Sequence, residues 1–120
     1  MRDYKKIEVW KKAHVLYLHV KMNVSVKFPA QERFELTSQL NRAALSVPLN
    51  IAEGCGRFTD KDFAHFLDTS LGSINEAEYC CIVAQELGYI SMEEFDQVAK
   101  LTGEVKGMLI GFIKFLRSEK

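Results

Sequence analysis

Apolar residues recur every three or four positions along nearly the whole chain, the spacing of one face of an α-helix, and the interruptions cut this pattern into four pieces. In the first piece Trp10, Ala13, Tyr17, Val20 and Val24 share a face. The run ends at Phe28-Pro29, because the residue before a proline is driven out of the helical region. This predicts a first helix over about residues 5–27. Leu36, Leu40, Ala43, Val47 and Ile51 predict a second over about 31–53, stopped at Gly54-Cys55-Gly56 and bent at Pro48, which cannot donate to the Ala44 carbonyl. Thr59 with Asp62 three residues on marks a third start. Phe63, Leu67, Ser70, Ile74, Ala77, Cys81 and Ala84 then line one side until Gly88 offers a left-handed cap, so the third helix covers about 60–87. Ser91-Met92-Glu93-Glu94 reads as a full capping box. It opens a fourth helix over about 92–117 with Phe95, Val98, Thr102, Val105, Leu109, Phe112 and Leu116 on its core face. Long amphipathic helices joined by short links pack as antiparallel neighbours, so the expected fold is all-α, an up-down-up-down four-helix bundle.

Two helices carry a second face that a lone bundle does not need. On helix 1, Val15, Leu18, Met22 and Val26 form an apolar stripe away from Trp10 and Tyr17. On helix 4, Gly103, Gly107 and Gly111 recur every four residues opposite the core stripe, each costing about 1 kcal/mol relative to alanine. A line of glycines is a groove into which another helix can approach closely, and Lys100, Glu104, Lys106 and Lys114 exclude a membrane setting. The expectation is that the helix 1 ridge of one copy packs in the helix 4 groove of the next. Unlike surfaces in contact make a heterologous interface, which closes into a ring if the rotation between copies allows. The competing expectation is that loops or the start of the chain cover both stripes within one subunit.

Composition narrows the function classes. The 120 residues, 48% hydrophobic and 27% charged, suit one compact domain spanning 1–120 with no need of a disulfide or metal staple. Cys55, Cys80 and Cys81 are an odd number and two are adjacent, so they read as free buried thiols in a reducing, cytoplasmic setting. The start, Met1-Arg2-Asp3-Tyr4-Lys5-Lys6-Ile7-Glu8, lacks the apolar run of a secretion signal, and no stretch is apolar enough to span a membrane. Sixteen basic residues balance sixteen acidic ones, so a polyanion would have to be met by a local patch. Residues 1–30 hold seven basic and two acidic residues, whereas residues 61–90 hold one basic and five acidic. Lys5, Lys6, Lys11, Lys12, Lys21 and Lys27 are therefore the candidate contacts for RNA or DNA, with mutual attraction between basic and acidic helices of adjacent copies as the plainer reading.

Chemistry-bearing patterns are sparse. Asp62-Phe63-Ala64-His65 resembles one half of a di-iron bundle motif and has no second half, and His14 and His19 are five apart, off the spacing of a helical two-histidine site. Ser38, Ser46, Ser70 and Ser73 have no defensible His and Asp partners, and Gly54-Cys55-Gly56-Arg57 follows a helix instead of a strand. The chain thus reads as a non-enzyme without a cofactor, a metal- or small-ligand-binding bundle being the alternative. The densest polar set is Gln39, Arg42, Ser46, Asn50 and Glu53 with Gly54 and Arg57 beyond. Arg42, Ser46, Asn50 and Glu53 share a face, and they are expected to form a structural ladder around Pro48, with Glu53 buried against Arg42 or Arg57.

Val9-Trp10-Lys11-Lys12-Ala13-His14, Phe28-Pro29, Glu32-Arg33-Phe34, Leu36-Thr37-Ser38-Gln39-Leu40, Arg42-Ala43-Ala44, Ser46-Val47-Pro48, Asn50-Ile51-Ala52-Glu53-Gly54, Gly56-Arg57 and Gly72-Ser73 are, taken together, similar to successive blocks of one family. The chain resembles the four-helix-bundle proteins encoded in intervening sequences of bacterial 23S ribosomal RNA genes, also labelled S23 ribosomal proteins. The resemblance implies a four-helix bundle with no established enzymatic activity, assembled as a ring of five. It also implies kinship with accessory proteins of the reverse transcriptases of diversity-generating retroelements, and so a nucleic acid or a nucleic-acid enzyme as partner.

Overall fold

The structure, a computed structural model, describes residues 2–118. Four helices dominate it: α1 (Glu8–His19), α2 (Leu36–Cys55), α3 (Asp60–Glu86) and α4 (Met92–Arg117). Followed toward its start, α2 meets α3 ever further along: Gly54 faces Phe63, Val47 bonds Ser70, and Ser46 bonds Ser73. Glu78 pairs with Lys106 and Asp68 with Arg117, so α3 and α4 also run antiparallel. Lys12 with Glu104 and Lys27 with Glu94 close the circle between the first helical segment and α4. The result is an elongated antiparallel bundle of 48 × 23 × 20 Å.

The helix starts follow the cap chemistry. Thr59 Oγ1 accepts from the Asp62 amide, Ser91 and Glu94 form the reciprocal capping box, and Gly88 adopts φ +81° beyond α3. All seven residues assigned to the α3 core stripe are buried, Ser70 among them because its hydroxyl donates to the Val47 carbonyl at 2.9 Å.

Three boundaries differ from the pattern. The first helix is not one α-helix over 5–27: Tyr4–Lys6 is a 3₁₀ turn, α1 follows, Val20–Val24 is a π-helical turn and Ser25–Lys27 is again 3₁₀. The wide π turn keeps Val20 and Val24 both buried. α2 starts at Leu36 instead of 31, after a 3₁₀ turn at Ala30–Glu32. It also runs past Gly54 to Cys55, since that glycine lies inside the helix and is needed for packing, not for stopping.

The core face of α1 is also rotated from the expected one. Val9, Ala13, Leu16, Val20 and Val24 are buried, while Trp10 and Tyr17 sit half-buried at the edge toward α2. Val9/Leu16 and Trp10/Tyr17 have the same seven-residue spacing, so period alone does not choose between them; the smaller pair fits the narrow interior. On α4 the interior takes Ile113, and Phe95 and Phe112 are half-buried.

Candidate functional site

The polar set of α2 lies on the α3 side of the helix. Ser46 Oγ accepts from Asn50 Nδ2 at 2.9 Å and from Ser73 Oγ at 2.8 Å, and Asn50 also donates to the Ser46 carbonyl. These bonds land on Ser46 and, through Ser70, on Val47, not on the Ala44 carbonyl that Pro48 deprives of a donor. Gln39, Arg42, Ser46, Ser73 and Glu76 border a shallow polar depression. The expected burial of Glu53 is wrong: its side chain is 60% exposed and meets Arg57 at 3.6 Å in an open i,i+4 pair. Arg57 lies over the Phe66 ring at 4.5 Å, and Arg42 is exposed. The set is therefore a small serine and asparagine network plus a solvated Glu-Arg pair, because α3 presents Phe66 and small side chains there instead of a roof. Gly54 has a separate role. A Cβ on it would stand 2.6 Å from Phe63 Cδ1 and 3.0 Å from Phe66 Cβ, so glycine lets α2 and α3 touch.

Both second faces are open. Val15, Leu18, Met22 and Val26 are between 39% and 67% exposed. A Cβ placed on Gly103, Gly107 or Gly111 would meet nothing within 4 Å. From Arg2 on, the start of the chain does not cover the α1 stripe. Arg2 donates its amide to the Cys55 carbonyl, reaches Asp60 and lies over the Phe63 ring, at the end of the bundle where α2 hands over to α3.

A third apolar surface escaped the pattern reading. Tyr4, Trp10, His14 and Tyr17 form one wall of an open groove, with Leu45, Pro48, Leu49 and Ala52 of α2 as the other. Tyr4 stands edge-on to Trp10, and His14 stacks on Trp10 at 5.1 Å. Leu45 and Leu49, four apart and off the α2 core stripe, were the available signal.

The six lysines do not act as one patch. Lys11 pairs with Glu8, Lys12 with Glu104 and Lys27 with Glu94, while Lys5, Lys6 and Lys21 are exposed with no carboxylate partner among the described residues. Charge that appears as a net excess along the sequence is thus half neutralised by α4 and by a neighbouring turn.

Burial pushes the Cys81 thiol up to about 12 and raises Cys55 and Cys80 as well, so all three remain protonated at neutral pH. They are free thiols. Burial, with Lys27 nearby, lowers His19. Among the described residues no group of three His, Cys, Asp or Glu side chains could hold a metal ion, and no helix is long and apolar enough to cross a membrane.

The geometry defines an antiparallel four-helix bundle that leaves apolar faces of α1 and α4 uncovered. By sequence, residues 5–111 match the model of the 23S rRNA-intervening sequence proteins, and the chain belongs to that family. Its fold is similar to the crystal structure of a protein of unknown function from the S23 ribosomal protein family of Bacteroides thetaiotaomicron VPI-5482, at TM-score 0.81 and 25% identity, over 88% of this chain and 98% of that one. No curated protein matches.

Proposed function

We propose that this chain is a non-enzymatic cytoplasmic scaffold that assembles with copies of itself into a closed ring, five copies being the number its family resemblance implies. One observation carries the reading. Among the described residues nothing fills the stripe of the first helical segment or the α4 glycine line, and a bundle with no partner has no use for four large exposed apolar side chains along one segment or for three glycines inside a helix. The two faces differ from each other, which suits a heterologous, ring-closing contact. Light scattering tests it: the particle should weigh several times 13.7 kDa, and a protein that stays at 13.7 kDa at micromolar concentration refutes the reading.

Lys5, Lys6 and Lys21, without described carboxylate partners, support weak binding of RNA or DNA, or docking of a nucleic-acid enzyme, on the ring. Fluorescence anisotropy with a structured RNA should show binding at low salt that fades as salt rises. Binding that survives Lys5→Glu with Lys6→Glu and Lys21→Glu places the nucleic acid elsewhere.

A further inference from the structure

The α1–α2 groove, about 250 Å³ and open to solvent, is an apolar recess walled by aromatic side chains on one side and by Leu45, Pro48 and Leu49 on the other. Building on the self-assembly reading, we infer that this groove is the seat for the glycine face of α4 from a second copy of the chain.

Axial register is the first support. Lys12 of α1 bonds Glu104 of its own α4 at 2.9 Å, and the two helices run antiparallel, so Gly103, Gly107 and Gly111 stand level with the first half of α1. The groove wall, Tyr4 of the preceding 3₁₀ turn with Trp10, His14 and Tyr17 of α1, spans that level. In a ring of upright bundles, surfaces at the same height meet. The Val15 to Val26 stripe runs from the second half of α1 through the π and 3₁₀ turns that follow it, and its centre lies about eleven residues from the level of the glycines, or roughly 16 Å at helical rise. Seating that stripe in the glycine line, as the sequence pattern suggests, would make every bundle lean by that distance.

Area is the second support. The four stripe residues expose roughly 400 Å², about half of the roughly 800 Å² that each partner of a stable interface buries. The groove contributes a similar area through Tyr4, Leu45, Leu49 and the half-buried Trp10 and Tyr17, so the required size is reached when the same neighbour seats its glycines in the groove and covers the adjoining stripe with the rest of its surface. Chemistry at one end agrees. Lys100 and Lys114 are exposed and flank the glycines on the same α4 face, about 20 Å apart along the helix. Tyr17 flanks the groove at the level of Lys100, so that ammonium meets an aromatic ring, while the Tyr4 ring at the other end is already faced by the chain's own Lys5 at 5.8 Å.

Trp10, the one tryptophan of the chain, reports on this seat directly. Within a subunit Gly107 has no neighbour near its Cβ position, and Trp10 lies on another helix. Acrylamide quenching of Trp10 and light scattering are measured on the wild type, Gly107→Leu and Leu49→Asp, with circular dichroism to confirm that each is helical. Both substitutions should reduce the particle to 13.7 kDa and raise the quenching constant at least two-fold. Dissociation by Gly107→Leu with unchanged Trp10 quenching, or retention of full mass by Leu49→Asp, overturns the groove assignment while leaving self-assembly standing. A monomeric wild type overturns both.

Discussion

Gly54→Ala adds one methyl group at the tightest point of the bundle, and its cost can be worked from the surroundings. The new Cβ would lie 2.6 Å from Phe63 Cδ1 and 3.1 Å from Cε1, well inside van der Waals contact. The ring cannot swing clear. Phe63 is 1% exposed, packed edge-on to Phe112 at 5.3 Å and covered by the Arg2 guanidinium at 5.1 Å. On the other side Phe66 Cβ is at 3.0 Å, a backbone-anchored atom, so α2 itself must move away from α3. Overpacking of this kind costs from 1 to more than 3 kcal/mol, against about 1 kcal/mol gained from alanine's better helix propensity. The clash involves a pinned ring and a helix backbone, which places it at the upper end, so a net loss of about 1–3 kcal/mol is expected, or a melting temperature lower by roughly 4–12 °C. Gly72→Ala is the control. It is also a mid-helix glycine, on α3, but its Cβ would meet nothing within 4 Å, so it should gain up to about 1 kcal/mol. Thermal unfolding followed by circular dichroism, at one protein concentration for all variants, reads both signs. A Gly54→Ala protein that melts at or above the wild-type temperature would show that the close approach of α2 and α3 is not what glycine secures.

Four further outcomes follow from the same structure. Glu53→Ala should change stability by less than about 1 kcal/mol in denaturant titration, because its pair with Arg57 is open to water; a loss of 3 kcal/mol would mean the pair is buried in the assembled protein. Ser91→Ala removes the hydroxyl half of the α4 capping box and should cost about 1 kcal/mol, with no loss marking the cap as redundant. The Arg117 guanidinium bonded to Asp68 holds that carboxyl below the ordinary aspartate range. The pair's contribution is therefore present above that range and lost as pH falls below it, and Arg117→Ala should raise the Asp68 midpoint in an NMR titration; an unmoved midpoint would assign the depression elsewhere. Cys81, fully buried and held protonated, should resist iodoacetamide in the native protein and react in denaturant, whereas rapid native alkylation would contradict its burial.

Much of this architecture is legible in the sequence because it depends on neighbours in the chain. A cap needs a residue three positions away, as Ser91 has Glu94, and a core stripe needs partners three and four positions away, as from Phe63 to Ala84 on α3. The exposed α1 stripe and the glycine line are visible for the same reason, each being a repeat within one helix. What stands opposite a face is another matter. By sequence Gly54 reads as a helix stop and Gly72 and Gly107 as helix-interior glycines, yet only Gly54 has two phenylalanines against its Cβ position. Trp10 and Val9 hold equivalent places in the pattern, and the width of the interior admits the smaller one. Glu53 looked like a buried partner until the side chains of α3 left it uncovered, and Lys12 looked like a free cation until packing brought Glu104, 92 positions away, to 2.9 Å. Periodicity sets how residues are arranged around one helix axis; the rotation and height of each helix against the next are settled by close packing of whole surfaces, and only then do burial, pairing and open grooves exist.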